Sequence, residues 1–96
     1  MLIKAGVDIS RLERNTRRGL AVVNKVYAQM GEEIVVTSTY EGNHGAGSLH
    51  YADQAFDVGL PQNDPIHTVA EMRQDLGEDF DVEGEIDHIH IEYDPK

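Results

Sequence analysis

The last apolar run of the chain carries side chains that could bind a metal ion. It reads His88-Ile89-His90-Ile91-Glu92-Tyr93. Side chains alternate faces along a strand, so His88, His90 and Glu92 share one face and Ile89, Ile91 and Tyr93 the other. An earlier run divides in the same way: Phe56 and Val58 point to one side, Ala55 and Asp57 to the other. His50 lies just before that run, seven positions ahead of Asp57. His50, Asp57 and His90 form a zinc set of two imidazoles and one carboxylate. Three protein ligands leave the fourth tetrahedral position open to water, which is the catalytic arrangement. A general base must then take a proton, and Asp87, three positions before His90, is the nearest candidate carboxylate in sequence. The competing reading is five histidines solvated on the surface of a small acidic domain, since the spacing alone does not identify a zinc enzyme.

Cysteine is absent, so thiolate sites and disulfides are excluded and any zinc must use His and carboxylate ligands. A formal net charge of −10 argues against nucleic acid as a partner and against adhesion to anionic membranes. At 96 residues and 40% apolar content, residues 1–96 suit one globular domain with a modest core. A bound metal would add stability to so small a fold. No run is long enough for a signal peptide or a membrane span. The expectation is a protein that stays in the cytoplasm until lysis, or one carried in a virion, without membrane insertion.

The elements that must hold these residues follow from periodicity. Asp8 to Met30 is predicted as a helix, with Leu20, Val23, Tyr27 and Met30 at helical spacing and Val26 widening the stripe. Asp8 or Ser10 could cap its start, and Gly31 suits its end. Arg11, Arg14, Arg17 and Arg18 crowd its first half, as a solvated face or as a patch for a polyanion. Glu32 to Tyr40 contains a β-branched run and predicts a strand, and the glycines from Glu41 to Ser48 a loop. Gln54 to Leu60 predicts a second strand. Asp64-Pro65 opens a helix that turns Ile66, Val69, Ala70 and Leu76 inward and stops at Gly77. Phe80 to Glu85 and His88 to Tyr93 predict a closing hairpin that turns near Gly84 to Asp87. The sum is an α+β fold: a small, mostly antiparallel sheet with helices packed on one face.

Two motifs in order resemble a known family. Ser48-Leu49-His50-Tyr51-Ala52-Asp53-Gln54-Ala55-Phe56-Asp57 resembles the S-x-H-x-x-G-x-A-x-D signature of the D-Ala-D-Ala metallopeptidases, a superfamily shared with lysostaphin-type enzymes and sonic hedgehog. Asp87-His88-Ile89-His90-Ile91-Glu92 resembles the D-x-x-H-x-E form of phage endolysins of this type. The resemblance extends from the first predicted strand to the C-terminus. It implies a hedgehog-like or D,D-peptidase-like fold, Zn2+ on His50, Asp57 and His90, and a peptidoglycan peptide as substrate. It further implies that a zinc-activated water attacks a peptide carbonyl, with Asp87 as general base and His88 assisting. Two departures stand out. The signature glycine is Asp53, and Tyr40-Glu41 stands where carboxypeptidases and dipeptidases of the family carry a substrate-binding arginine. The missing arginine favours an endopeptidase of the lysis type over a D,D-carboxypeptidase or dipeptidase. Asp53 favours a catalytically inactive zinc-binding structural or interaction domain of the same fold. An unrelated acidic binding domain is the third reading, and it needs both motif matches to be accidental. Neither His44 nor His67 has a role in these readings.

Overall fold

A computed structural model of the chain describes residues 1–39 and 54–95. Its elements are β1 (Leu2–Ile3), α1 (Arg14–Gln29), β2 (Val35–Ser38), β3 (Ala55–Gly59), α2 (Pro65–Leu76), β4 (Phe80–Gly84) and β5 (His88–Tyr93). They build an α+β fold around one five-stranded mixed sheet, in the order β1-β2-β3-β5-β4. The β1–β2 pairing is parallel and the other three are antiparallel. Among the described residues no helix is long and apolar enough to cross a membrane.

α1 begins later than its apolar spacing suggests. Asp8, expected as a cap, spends a carboxylate oxygen on the Ser10 amide at 2.8 Å, and the Leu12 amide donates to the Ile9 carbonyl at 3.2 Å. Short polar side chains of this type hold the backbone in turns outside a helix. Glu13 is the N-cap instead, accepting from the Asn15 amide at 3.0 Å. The other end matches the expectation for glycine. Gly31 has φ +73°, its amide donates to the Ala28 carbonyl, and the Glu32 amide donates to the Tyr27 carbonyl. Two such bonds satisfy carbonyls that the last turn would leave without partners. Met30, expected in the apolar stripe, is the C-cap and only half-buried.

The core lies between one face of the sheet and both helices. Leu20, Val23, Val26 and Tyr27 of α1 and Met72 of α2 pack with Val36, Phe56, Val58, Ile89 and Ile91 of the sheet. The predicted sharing of one face by Phe56, Val58, Ile89 and Ile91 is therefore observed. Tyr93 sits at the rim of this face, its ring 5.3 Å from that of Phe80. Phe80 in turn lies on α1 where Gly19 leaves room; a Cβ there would come within 2.5 Å of the ring.

α2 corrects the sequence reading in detail. Asp64 caps it, accepting from the His67 amide at 3.2 Å, and Gly77 ends it, as expected. Its inward residues are Thr68 and Met72, with Val69 and Leu76 partly buried, whereas Ile66 is 85% exposed and Ala70 is exposed. The Thr68 hydroxyl donates to the Asp64 carbonyl at 3.0 Å, so a polar residue is buried with its donor satisfied. β1 was not predicted: two residues are too few to show alternation, and both side chains are exposed. It is held by the Leu2 and Lys4 amides on the Ile34 and Val36 carbonyls.

Tyr27 joins α1 to the strand that carries Asp57. Its ring is buried and its hydroxyl donates to the Gly59 carbonyl at 2.6 Å. Burial, reinforced by the nearby Glu32 carboxylate, pushes the phenol pKa up, so it remains a donor at ordinary pH. Tyr27→Phe keeps the ring and removes the donor. The variant should lose about 1–2 kcal/mol of stability, the cost of a lost hydrogen bond with a carbonyl left behind. Urea unfolding followed by circular dichroism measures this; an unchanged midpoint would show that the bond contributes nothing.

Candidate functional site

β3 and β5 set the site by register. Phe56 pairs with Ile91 and Val58 with Ile89 on the core side, which brings Asp57 opposite His90 on the other side. A one-residue slip would turn every one of these side chains over, and the buried apolar pairs oppose that slip. β2 completes the row by placing Ser38 opposite Asp57, with a register irregularity after Val36.

Asp57 is the hub. Its Oδ1 lies 2.8 Å from Nδ1 of His90. Its Oδ2 lies 3.8 Å from Nε2 of His88, an ion-pair separation when that ring is charged. The carboxylate is only 13% exposed. On its far side His90 places Nε2 2.7 Å from Oε1 of Glu92. His88 places Nδ1 2.7 Å from Oδ1 of Asp87 at the β4–β5 turn. Carboxylates and imidazoles thus alternate in one line: Asp87, His88, Asp57, His90, Glu92.

An ionised carboxylate accepts hydrogen bonds and donates none, so each imidazole nitrogen at hydrogen-bond distance must bring a proton. His90 has a carboxylate on both nitrogens. The bond to Asp57 raises its pKa most, burial acts against the charge, and the bond to Glu92 raises it further. Asp87 is held below the usual carboxylate range, chiefly by its bond to His88.

The same geometry suits a cation. If the Nδ1 proton of His90 is replaced by a metal ion, Asp57 becomes the neighbouring ligand and Glu92 keeps the Nε2–H. A carboxylate behind a ligating histidine is the usual orienting device. Two donors each about 2.0–2.1 Å from a tetrahedral ion lie about 3.3 Å apart, so the 2.8 Å pair opens by about half an ångström. Asp57 and His90 therefore fit zinc as two of its ligands. Of the predicted site residues, Asp57, His88, His90 and Asp87 come together. His50 lies outside the described residues, as do Asp53, Tyr40 and His44.

Glu92 belongs to the site, although it was not among the predicted site residues. The alternation of His88, His90 and Glu92 was the signal that places it there. Another group was not anticipated: carboxylate oxygens of Asp81, Glu92 and Asp94 lie within 4.8 Å of one another. Oxygen donors alone suit calcium or magnesium better than zinc. Cross-strand register explains this group, because Asp81 pairs with Glu92 on neighbouring strands. An open cavity of about 420 Å³ lies elsewhere, between α2 and the β4–β5 turn, lined by Leu60, Ile66, Val69 and Arg73. None of the site carboxylates or imidazoles lines it.

No family model, curated protein or solved structure matches the chain.

The alternating line makes a pH prediction for the chelator-treated protein. The folded pKa of His90 lies above the ordinary 6.5. Its contribution to stability is therefore complete below about pH 6.5 and is lost as pH rises through the raised value. Asp57→Asn removes the largest cause and should bring the His90 titration down. Nitrogen-15 or ring-proton NMR titration of both proteins reads this directly. A His90 value at or below 6.5 in the unsubstituted chain would contradict the arrangement.

Proposed function

We propose that the chain is a zinc-dependent peptidase acting on peptidoglycan peptides, cutting an internal bond. The observation that carries this reading is the Asp57–His90 pair at 2.8 Å with Glu92 behind the histidine. It gives the two motif residues the adjacency that shared coordination needs, on a face free of the apolar core. His50 is the proposed third ligand. Zinc bound there would supply Lewis acidity to a peptide carbonyl and to the attacking water.

The chain's own groups have separate tasks in this reading. Glu92 fixes the His90 ring by accepting its Nε2–H. Asp57 is the anionic ligand and faces His88 with its second oxygen. Asp87 and His88 act as one unit: the Asp87 carboxylate accepts from His88 Nδ1 at 2.7 Å, which leaves Nε2 turned toward Asp57. In its neutral form that ring offers Nε2 as a proton acceptor, with Asp87 stabilising the imidazolium that results. The proton then returns to the leaving amine. In this arrangement His88 takes the proton, and Asp87, expected from the sequence to be the general base, orients and stabilises that imidazole. In the sequence, Tyr40-Glu41 rather than an arginine follows the run that ends at Thr39, which favours a bond inside a peptide over a free terminal carboxylate.

A second reading has one specific observation in its favour. Asp53 replaces the signature glycine, which suits a zinc-binding structural or interaction domain of the same ancestry that does not hydrolyse peptides.

Digestion of purified cell walls, with products followed by mass, separates the two. Cleaved stem or cross-bridge peptides that vanish with chelator and return with zinc are the expected result. Intact walls in the presence of stoichiometric zinc would leave the non-catalytic reading. Release of terminal D-alanine from free pentapeptide, with walls uncut, would replace the endopeptidase by a carboxypeptidase. Asp57→Ala and His90→Ala should lose zinc and activity together. Asp87→Asn and His88→Ala should keep zinc and lose activity by about a hundredfold or more, the scale of general acid–base catalysis. Glu92→Gln should weaken zinc binding about 10- to 100-fold in a chelator competition.

A further inference from the structure

We propose that the exposed face of α1 docks a slender phosphodiester polymer of the cell envelope, of the polyol-phosphate class. The choice of an envelope polymer rests on the peptidase reading; the binding surface itself rests on the charge pattern. The chain carries 8 Lys and Arg against 18 Asp and Glu, yet the 16 residues of α1 contain no acid. Its exposed side chains include Arg14, Arg17, Arg18 and Lys25. None of these four makes an ion pair among the described residues. At 1.5 Å rise per residue, Arg14 to Lys25 spans about 16 Å along the axis.

The placement runs against local preference. Cations are favoured near the C-terminal end of a helix and disfavoured at its positive N-terminal end. Here arginines occupy three of the first five positions of α1, while its last turn has no basic residue. A helix selected for stability alone would carry acids in that first turn. Glu13, the carboxylate that immediately precedes the helix, is turned onto the Asn15 amide and side chain at 3.0 and 3.2 Å. Its charge is spent at the helix end. Local disagreement of this kind is expected where function overrides stability.

Several features select the occupant. The stripe is one helix wide, which suits a single flexible strand better than a duplex or a flat membrane. A broader polyanion would meet the acids of the remaining chain within a Debye length of about 8 Å. Ala21 lies between Arg18 and Lys25 on this face, and the helix's one aromatic residue, Tyr27, is buried, so no ring is offered for base stacking. Recognition would therefore be by charge alone. α1 packs on the apolar side of the sheet, opposite Asp57 and His90. A polymer held there would tether the protein and leave the site uncovered.

The test uses the full chain and fluorescently labelled poly(glycerol phosphate), by anisotropy at several salt concentrations. Oligothymidylate with the same number of phosphates and phosphatidylglycerol vesicles are the comparison ligands. The polymer should bind at low salt, with log K falling against log salt with a slope of about −3 for four cations. The folded triple variant R14Q/R17Q/R18Q, checked by circular dichroism, should bind at least about tenfold more weakly and with a slope near −1. Failure of the polymer to bind at low salt would overturn the proposal. Unchanged binding by the triple variant, or tighter binding of oligothymidylate or vesicles, would do the same. Cleavage of a soluble stem peptide should be equal in the two proteins. Binding without any such cleavage would remove the peptidase reading and leave the surface; cleavage without binding would do the reverse.

Discussion

The antiparallel pairing of β3 with β5 is the constraint on which everything else depends. Its register places Phe56 against Ile91 and Val58 against Ile89, all fully buried. Fully burying four such side chains contributes about 1.5–3 kcal/mol each, a large share of the stability of so short a chain. The same register sets Asp57 directly opposite His90 across the β3–β5 ladder. The core thus fixes the site: apolar residues on one face decide which polar residues meet on the other. α1 is tied to this pair through Tyr27 and Gly59, so the helix supports the strand that carries Asp57.

Electrostatics then determines the chemistry. Two imidazoles stand among three carboxylates in an alternating line, in a chain of net charge −10. Such a line attracts positive charge, a proton or, in the proposed reading, a metal ion. His90 feels both influences, with burial opposing its charge and two carboxylates favouring it. Because a ligand must be deprotonated on the coordinating atom, zinc would displace the proton between Asp57 and His90. Glu92 serves either state, since it accepts the same Nε2–H in both.

Much of this was legible in the sequence where periodicity and chemistry agreed. Strict alternation in His88 to Tyr93 located the polar and apolar faces of β5, and Asp64-Pro65 with Gly77 bounded α2. Errors arose where local hydrogen bonds were decisive. Asp8 and Ser10 are good caps by type, but they close a turn with each other, and Glu13 caps the helix. Thr68 is buried because Asp64 satisfies its hydroxyl, so Ile66 is not needed inside. β1 carries no alternation in two residues and depends on backbone bonds to β2. In the site, Asp57, His88, His90 and Asp87 were named from motif spacing. The carboxylates of Asp81 and Asp94 were not, because they approach Glu92 only through pairing across strands and the turn that follows.

X-ray absorption at the zinc edge, on protein reconstituted with one equivalent of zinc, tests the proposed coordination most directly. Two imidazole ligands and oxygen donors at about 2.0–2.2 Å are predicted, with one imidazole lost in His90→Ala. An all-oxygen shell unaffected by that substitution would put the metal on the carboxylates of Asp81, Glu92 and Asp94 and contradict the Asp57–His90 centre.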